Sequence, residues 1–199
     1  MAAVLDSVRA LFAQKNDSAF LIDRENPSDV VARERLLDRA MGPNRKKKSS
    51  EALRRNRVPA EGLALVARDT AGHVIATVRL WNIDAGITPE GNPVPALLLG
   101  PLAVDADYEG KGIGAALMRA AILEARKRGH GAILLVGDAP YYERFGFSAE
   151  RTATLMMPGP FTRERFLALE LRARWLEGAA GVLVATGPKL VASSIKRAA

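Results

Sequence analysis

Apolar positions along the chain fall into short runs and into longer stretches with helical spacing. The short runs are Ala19-Phe20-Leu21-Ile22, Gly62 to Ala67, His73 to Leu80 and Ala132 to Val136. Each is bounded by turn residues, so each predicts a strand. The run at 132–136 shows no alternation, which suits burial on both faces. Leu97-Leu98-Leu99, followed by Leu102 and Val104, predicts another strand, interrupted by Gly100-Pro101. Proline has no N–H to give and glycine takes unusual backbone angles, so a bend or bulge is expected there.

Helical spacing accounts for three more stretches. Val4, Val8, Leu11 and Phe12 share one face of a short helix over 1–16. Asn26-Pro27-Ser28-Asp29 signals a helix start with Ser28 as N-cap, and Val30, Val31, Leu36 and Leu37 carry that helix to Met41 before Gly42-Pro43 ends it. Ala115, Met118, Ala121, Ile122 and Ala125 form a third apolar face. Arg126, Lys127 and Arg128 complement the negative end of its dipole, and Gly129 stops it.

The intervening stretches are read from turn chemistry. Asp69-Thr70-Ala71-Gly72 turns between two paired strands, with His73 as a turn residue. Trp81 closes the second of these strands, and the Gly/Pro/Asp-rich segment Asn82 to Pro95 is expected to be a loop. Ser50 to Arg57 predicts a short helix capped by Ser49 or Ser50. After Gly137-Asp138 a short helix runs to Gly146. Ala153 to Met156 reads as a strand, Thr162 to Trp175 as a helix with Trp175 in the core, and Gly181 to Ala185 as a last strand beside the preceding one.

Between the strand at 97–104 and the helix from 114 lies Asp105 to Gly114, with Gly110, Gly112 and Gly114 in alternation. The first amides of a helix lack internal partners and the dipole favours an anion there, so this loop predicts a phosphate or pyrophosphate cradle. It is not a P-loop, because Lys111 is followed by Gly112 rather than Ser or Thr. It is not a dinucleotide fingerprint either, because the spacing is G-x-G-x-G and mid-chain. A tight turn with close helix packing would use the same glycines.

The loop resembles the coenzyme A loop of the GCN5-related N-acetyltransferase (GNAT) superfamily, whose pattern is Gln/Arg-x-x-Gly-x-Gly/Ala. Glu109, Gly112 and Gly114 hold its fixed places, with Gly110, Lys111 and Ile113 between them and Glu109 departing from Gln or Arg. Leu99 to Asp105 (L-G-P-L-A-V-D) resembles the superfamily's splayed fourth strand, and Tyr142 to Phe147 its Y-x-x-x-G-F signature. Within the superfamily the likeness is to the bacterial YhbS-like acetyltransferases. It rests on G-P-N-R at 42–45, V-R-L-W at 78–81, L-G-P-L-A-V at 99–104, G-D-A-P-Y-Y-E-R-F-G-F at 137–147 and M-P-G-P at 157–160. It spans residues 18 to 190.

The resemblance implies an α/β (α+β) GNAT fold: a mixed, mostly antiparallel sheet with a splayed βαβ unit and helices on both faces. It implies a domain at 18–190, preceded by a helical extension over 1–17 and followed by a basic tail over 191–199. Acetyl-CoA is the implied co-substrate and a primary amine, on a small molecule or peptide, the acceptor. The backbone of Leu102, Ala103 and Val104 would meet the acetyl-pantetheine arm, and the amides of 109–114 the pyrophosphate. Tyr142 is the implied general acid: a tyrosine is neutral at pH 7 and can protonate a leaving thiolate. Tyr141 is its rival on another side of the helix. The oxyanion falls to the amide of Val104. The splayed strand holds no Asp or Glu, so the base is a water relay or, by elimination, Glu61, Asp84 or Glu90. A non-catalytic acyl-CoA-binding or sensing module would share the loop and is separated from the enzyme by turnover through Tyr142. Homodimers are common in such folds.

Composition narrows the picture modestly. The chain has 199 residues, enough for one full core. It has no cysteine and two histidines, His73 and His130, so no metal site is expected, and the lack of thiols fits a reducing cytoplasm. The start carries Asp6 and lacks the order of a secretory signal, and no apolar run reaches the ~20 residues of a membrane span. The net charge is +7. Its densest run, Arg45-Lys46-Lys47-Lys48, has no interleaved aromatics, which argues for a solvated loop rather than a nucleic-acid surface.

Overall fold

The computed structural model describes residues 20–190. The expected helix at 1–16 and the basic tail at 191–199 lie outside them. Five strands and one crossover helix make the frame: β1 (Phe20–Arg24), β2 (Ala64–Asp69), β3 (Val74–Ile87), β4 (Pro93–Val104) and β5 (Ala132–Val136), with α1 (Val30–Met41) between β1 and β2 and α2 (Ile113–Lys127) between β4 and β5. After β5 come a short helix, α3 (Ala139–Glu143), and the strands β6 (Leu155–Met156), β7 (Phe166–Glu170), β8 (Gly181–Val182) and β9 (Val184–Ala185). The main sheet runs β1-β2-β3-β4-β5-β7, with β9 added beside β3. Only β4 and β5 are parallel within it, joined through α2 as the expected βαβ unit.

Alternation along the strands divides the core. Leu97, Leu99, Ile133 and Leu135 turn to α2, where they pack on Leu117, Met118 and Ala121. Leu98, Leu134 and Phe166 turn to the opposite face, where Trp81, Ile83 and Leu183 complete a second cluster. Leu36 and Leu37 of α1 cover Ala103 on that same side. Successive residues of β4 thus serve two cores, which explains an apolar run with no polar alternation. Among the described residues no helix is long and apolar enough to cross a membrane.

Several expectations need correction. Trp81 does not close its strand: β3 continues to Ile87, and the loop shrinks to residues 88–92. Asn82 to Ala85 alternates half-buried and buried positions, a strand pattern that the neighbouring Gly and Pro obscured. The helix expected over 162–175 is instead one 3-10 turn (Arg163–Arg165) followed by β7, paired antiparallel to β5 from Ala132↔Glu170 to Val136↔Phe166. F-L-A-L-E has helix-favouring residues, but burial beside β5 outweighs a propensity worth only tenths of a kcal/mol per residue. Ser50–Arg57 is a single 3-10 turn, Ser49–Leu53. Ser28 is not the cap: Asn26 caps the 3-10 turn Pro27–Asp29 that leads into α1, its own N–H donated to Asp29 Oδ2 at 2.7 Å, and Asp29 is the N-cap of α1. The last strand is split around Leu183: β8 pairs with β6, as expected, and β9 crosses to β3. Arg45 is not a solvated loop residue, because it is buried and paired with Glu34 and Asp38, whereas Lys46 to Lys48 are exposed.

Candidate active site

The cleft begins where β4 and β5 part. Their pairing is limited to Leu97↔Ile133 and Leu98↔Leu134. Beyond that point β4 keeps only its β3 partner, and a bulge intervenes. Leu99 faces Leu80 and Leu102 faces Val78, so Gly100 and Pro101 oppose Arg79 alone. The Trp81 indole N–H holds the bulge by donating to Gly100 O at 2.6 Å. Asp105 donates its N–H to Ile75 O, on the β3 side. Strand alternation therefore turns the backbone of Leu102 and Val104 away from β3, into the gap that β5 has left. Buried backbone groups in such a gap need a partner, and a ligand can supply one.

The floor of the cleft is the start of α2. Gly110 and Gly112 have φ of 73° and 77°, in the left-handed region where glycine is favoured. Gly112 is the N-cap, and a Cβ there would meet no atom within 4 Å, so its Cα faces open space. The first helical bond is Ala116 N–H to Gly112 O at 3.0 Å, which leaves the amides of Ile113, Gly114 and Ala115 without helical partners. Gly114 permits close approach from across the cleft: a Cβ there would lie 3.0 Å from Tyr141 Oη. The preceding turn is anchored by Asp105, which accepts from Asp107 N–H and pairs with Arg39, and by Tyr108, whose hydroxyl donates to Asp69 Oδ2 at 3.0 Å.

The far wall is α3 and the end of β5. The cavity so enclosed has a volume of about 670 Å³. Of the residues expected at the site, Leu102, Ala103, Val104, Glu109, Gly110 and Gly112 line it. So do Ile113, Gly114 and Tyr142. Lys111 does not: its ammonium donates to Asp107 O at 2.9 Å and sits 4.6 Å from the Tyr108 ring centre. Tyr141 was expected on another side of the helix, yet it also lines the cleft, with its ring edge-on to Tyr142 at 5.0 Å. The short turn of α3 presents both rings. Glu61, Asp84 and Glu90 are not among the lining residues; the carboxylates that line the cleft are Glu109 and Asp138.

Burial sets the state of the two phenols. It pushes the Tyr142 hydroxyl up to about 12, and the neighbouring Tyr141 adds to that rise. Tyr141 is also raised by burial, moderated by the Arg144 guanidinium stacked 4.5 Å from its ring centre. Both are therefore proton donors at neutral pH. Arg144 and Arg165 bring positive charge to the cleft. Neither was expected. Arg165 was hidden because its segment read as helix; the strand register instead places it against Gly137, whose N–H donates to Arg165 O at 2.8 Å.

Comparison with known proteins agrees with this geometry. Residues 60–149, which hold β2 to α3 and every residue lining the cleft except Arg165, match the acetyltransferase (GNAT) domain family. The match is to a GNAT acetyltransferase domain and spans just under half of the chain. Over 163 residues it is 29% identical to the uncharacterized N-acetyltransferase YhbS of Escherichia coli K12, covering 82% of this chain and 94% of that one. The crystal structure of E. coli YhbS in complex with CoA superposes with a TM-score of 0.70 at 27% identity, covering 87% of this chain and 93% of the other. A GNAT family acetyltransferase from Brucella melitensis, in complex with acetyl-CoA, gives 0.56 at 26% identity over 76% of this chain and 96% of its own. The expected fold, with a splayed βαβ unit in a mostly antiparallel sheet, is the one observed.

Proposed function

We propose that the domain, spanning 18–190, is an acetyl-CoA-dependent N-acetyltransferase acting by direct attack of a primary amine on the thioester. The observation that carries this reading is the junction of two unfilled backbone sets in one cleft: the free edge of β4 at Leu102 and Val104, and the open amides at the start of α2. The first suits an extended amide-bearing arm and the second a pyrophosphate. A cleft of about 670 Å³ is within the range of cofactor-sized sites. Complexes of the E. coli and Brucella relatives with CoA and acetyl-CoA support the same ligand.

In this reading acetyl-CoA supplies the acetyl thioester. The Val104 amide meets the developing oxyanion, and Tyr142 holds its proton for the departing thiolate. As the new C–N bond forms and the C–S bond breaks, that proton passes to sulfur, the amine's surplus proton leaves to water, and water returns a proton to the Tyr142 phenolate. Glu109, at the mouth, is exposed, so its carboxylate can turn to solvent while the backbone beside it binds phosphate. The absence of cysteine supports a cytoplasmic setting.

The test is a calorimetric titration of acetyl-CoA into wild type and Gly112→Glu. Micromolar binding to wild type, lost in the variant, is the expected result. A thermal melt of both proteins separates lost binding from lost folding. Wild type that binds no acetyl-CoA overturns the proposal.

A further inference from the structure

A second cavity, of about 540 Å³, opens on the α1 side of the sheet. It reaches β4 at Pro101, the residue next to Leu102 of the cleft. Consecutive Cα atoms are 3.8 Å apart, so the two cavities approach β4 within one residue of each other. Trp81, which holds the bulge between them, is part of its wall.

Its lining is strongly basic. Six cations, Arg45, Lys46, Arg54, Arg55, Arg57 and Arg79, face two carboxylates, Glu34 and Glu51. Half of the cations are neutralised locally. Arg45 pairs with Glu34 and Asp38, Arg54 with Glu51 at 2.7 Å, and Arg79 with the buried Glu25. Lys46, Arg55 and Arg57 have no carboxylate partner among the described residues. Among the described residues the Arg55 guanidinium donates only to Lys46 O at 3.4 Å, and that of Arg57 only to Gly187 O.

The turn carrying the two arginines is fixed. Asn56 lies between them with φ of 56°, a left-handed conformation that asparagine tolerates better than most residues. Its carbonyl accepts from Leu190 N–H, and Val58 N–H donates to Pro188 O, both at 2.8 Å. A guanidinium on a pinned turn loses less freedom on binding than one on a free loop, and its planar fork matches carboxylate and phosphate oxygens.

We infer that this cavity receives the acceptor, and that the acceptor is a small primary amine carrying an anionic group, carboxylate or phosphate, held by Arg55 and Arg57. The inference rests on the transferase reading above and gives it a substrate class. An amine anchored there by its anion reaches the bulge at Gly100-Pro101 from the side opposite the cleft, where the thioester would lie. Uncharged amines of the same size leave the arginine pair unused.

The test uses CoA-saturated protein, so that the cleft cannot take up the anion. Phosphoethanolamine, γ-aminobutyrate and ethanolamine are titrated into wild type and the R55Q/R57Q double variant, and the same amines are assayed for thiol release from acetyl-CoA. At least one anionic amine is expected to bind wild type and to exceed ethanolamine in kcat/KM by about tenfold or more, as for charge-assisted hydrogen bonds. The double variant is expected to remove that advantage through KM and leave acetyl-CoA affinity unchanged. Preference between the phosphate and carboxylate amines assigns the anion. Equal handling of ethanolamine, no binding of either anion to the CoA-loaded protein, or equal losses on all three amines overturns the inference. A wild type without affinity for CoA overturns the transferase reading instead, and anion binding to the arginine pair remains measurable in the CoA-free protein.

Discussion

The ring of Tyr142 lies directly over Gly137: a Cβ on that glycine would sit 2.1 Å from Tyr142 Cε2. Gly137 is buried at the end of β5, and its missing side chain is the space the phenol occupies. Tyr142 is further held by Phe147, edge-on at 6.0 Å. Gly137→Ala must therefore displace the ring away from the cleft wall. We expect kcat to fall at least about tenfold, since small misplacements of a reacting group cost that much or more. The acetyl-CoA dissociation constant, measured by calorimetry, should change little, because the amides proposed to hold the pyrophosphate lie at the start of α2.

Tyr142→Phe removes only the hydroxyl. We expect a loss of about 10²–10⁴ in kcat, the usual span for a positioned general acid, with acetyl-CoA affinity kept. Tyr141→Phe, which leaves that proton donor in place, should retain most of the activity. Equal losses in the two variants would move the role away from Tyr142.

The position of the Tyr142 hydroxyl, raised to about 12 by burial, shapes the alkaline limb. A tyrosine at its ordinary value near 10 would lose its proton there, and activity with it. Here the donor stays protonated, so kcat should hold through pH 10, up to the limit of protein stability. A fall centred near pH 10 that vanishes in Tyr142→Phe would contradict this.

Gly131 and Trp175 are packed at least as tightly as the first pair, since a Cβ at Gly131 would lie 2.0 Å from the indole ring. The indole N–H also donates to Pro95 O at 2.8 Å, tying the segment after β7 to β4. Gly131→Ala should cost about 1–3 kcal/mol through overpacking. In a domain of this size each kcal/mol lowers the Tm by about 2–4 °C. Acetyl-CoA binding to the folded variant should be unaffected.

Asp29 and Arg68 join the start of α1 to β2 through a bidentate pair, with oxygens at 3.0 and 2.7 Å. The Arg68 hydrogen bonds hold the Asp29 carboxyl below its usual value, against the opposing effect of burial. Its stabilisation is thus fully present above pH 4 and is lost as pH falls through the lowered folded value. Asp29→Asn should destabilise by about 1–3 kcal/mol at pH 6.5. In urea titrations the gap from wild type should close as pH falls through that lowered value, where the native carboxyl also becomes neutral.

Much of the site was legible locally. The glycines at 110, 112 and 114, the break at Gly100-Pro101 and the tyrosines after Asp138 are short-range signals, because each encodes a backbone or helix-end property within a few residues. The βαβ unit followed from an apolar strand, a helical face and a second apolar strand in sequence. Lys111 shows the boundary of that reading: its place in the motif is local, but its side chain is drawn off by Asp107 O and the Tyr108 ring.

The sequence by itself determined the glycine-rich entry to α2, the bulge in β4 and the crossover between parallel strands, because these depend on residue type and spacing along the chain. The tertiary structure alone decided that F-L-A-L-E is a strand, since its partner β5 lies about thirty residues away and burial there outweighs local helix preference. It also decided which arginines are spent. Arg45, Arg55 and Arg57 look alike in sequence, and only packing gives the first two carboxylates and leaves the others facing a cavity. Charge pairing is a matter of distances through space, and a chain read in order does not contain them.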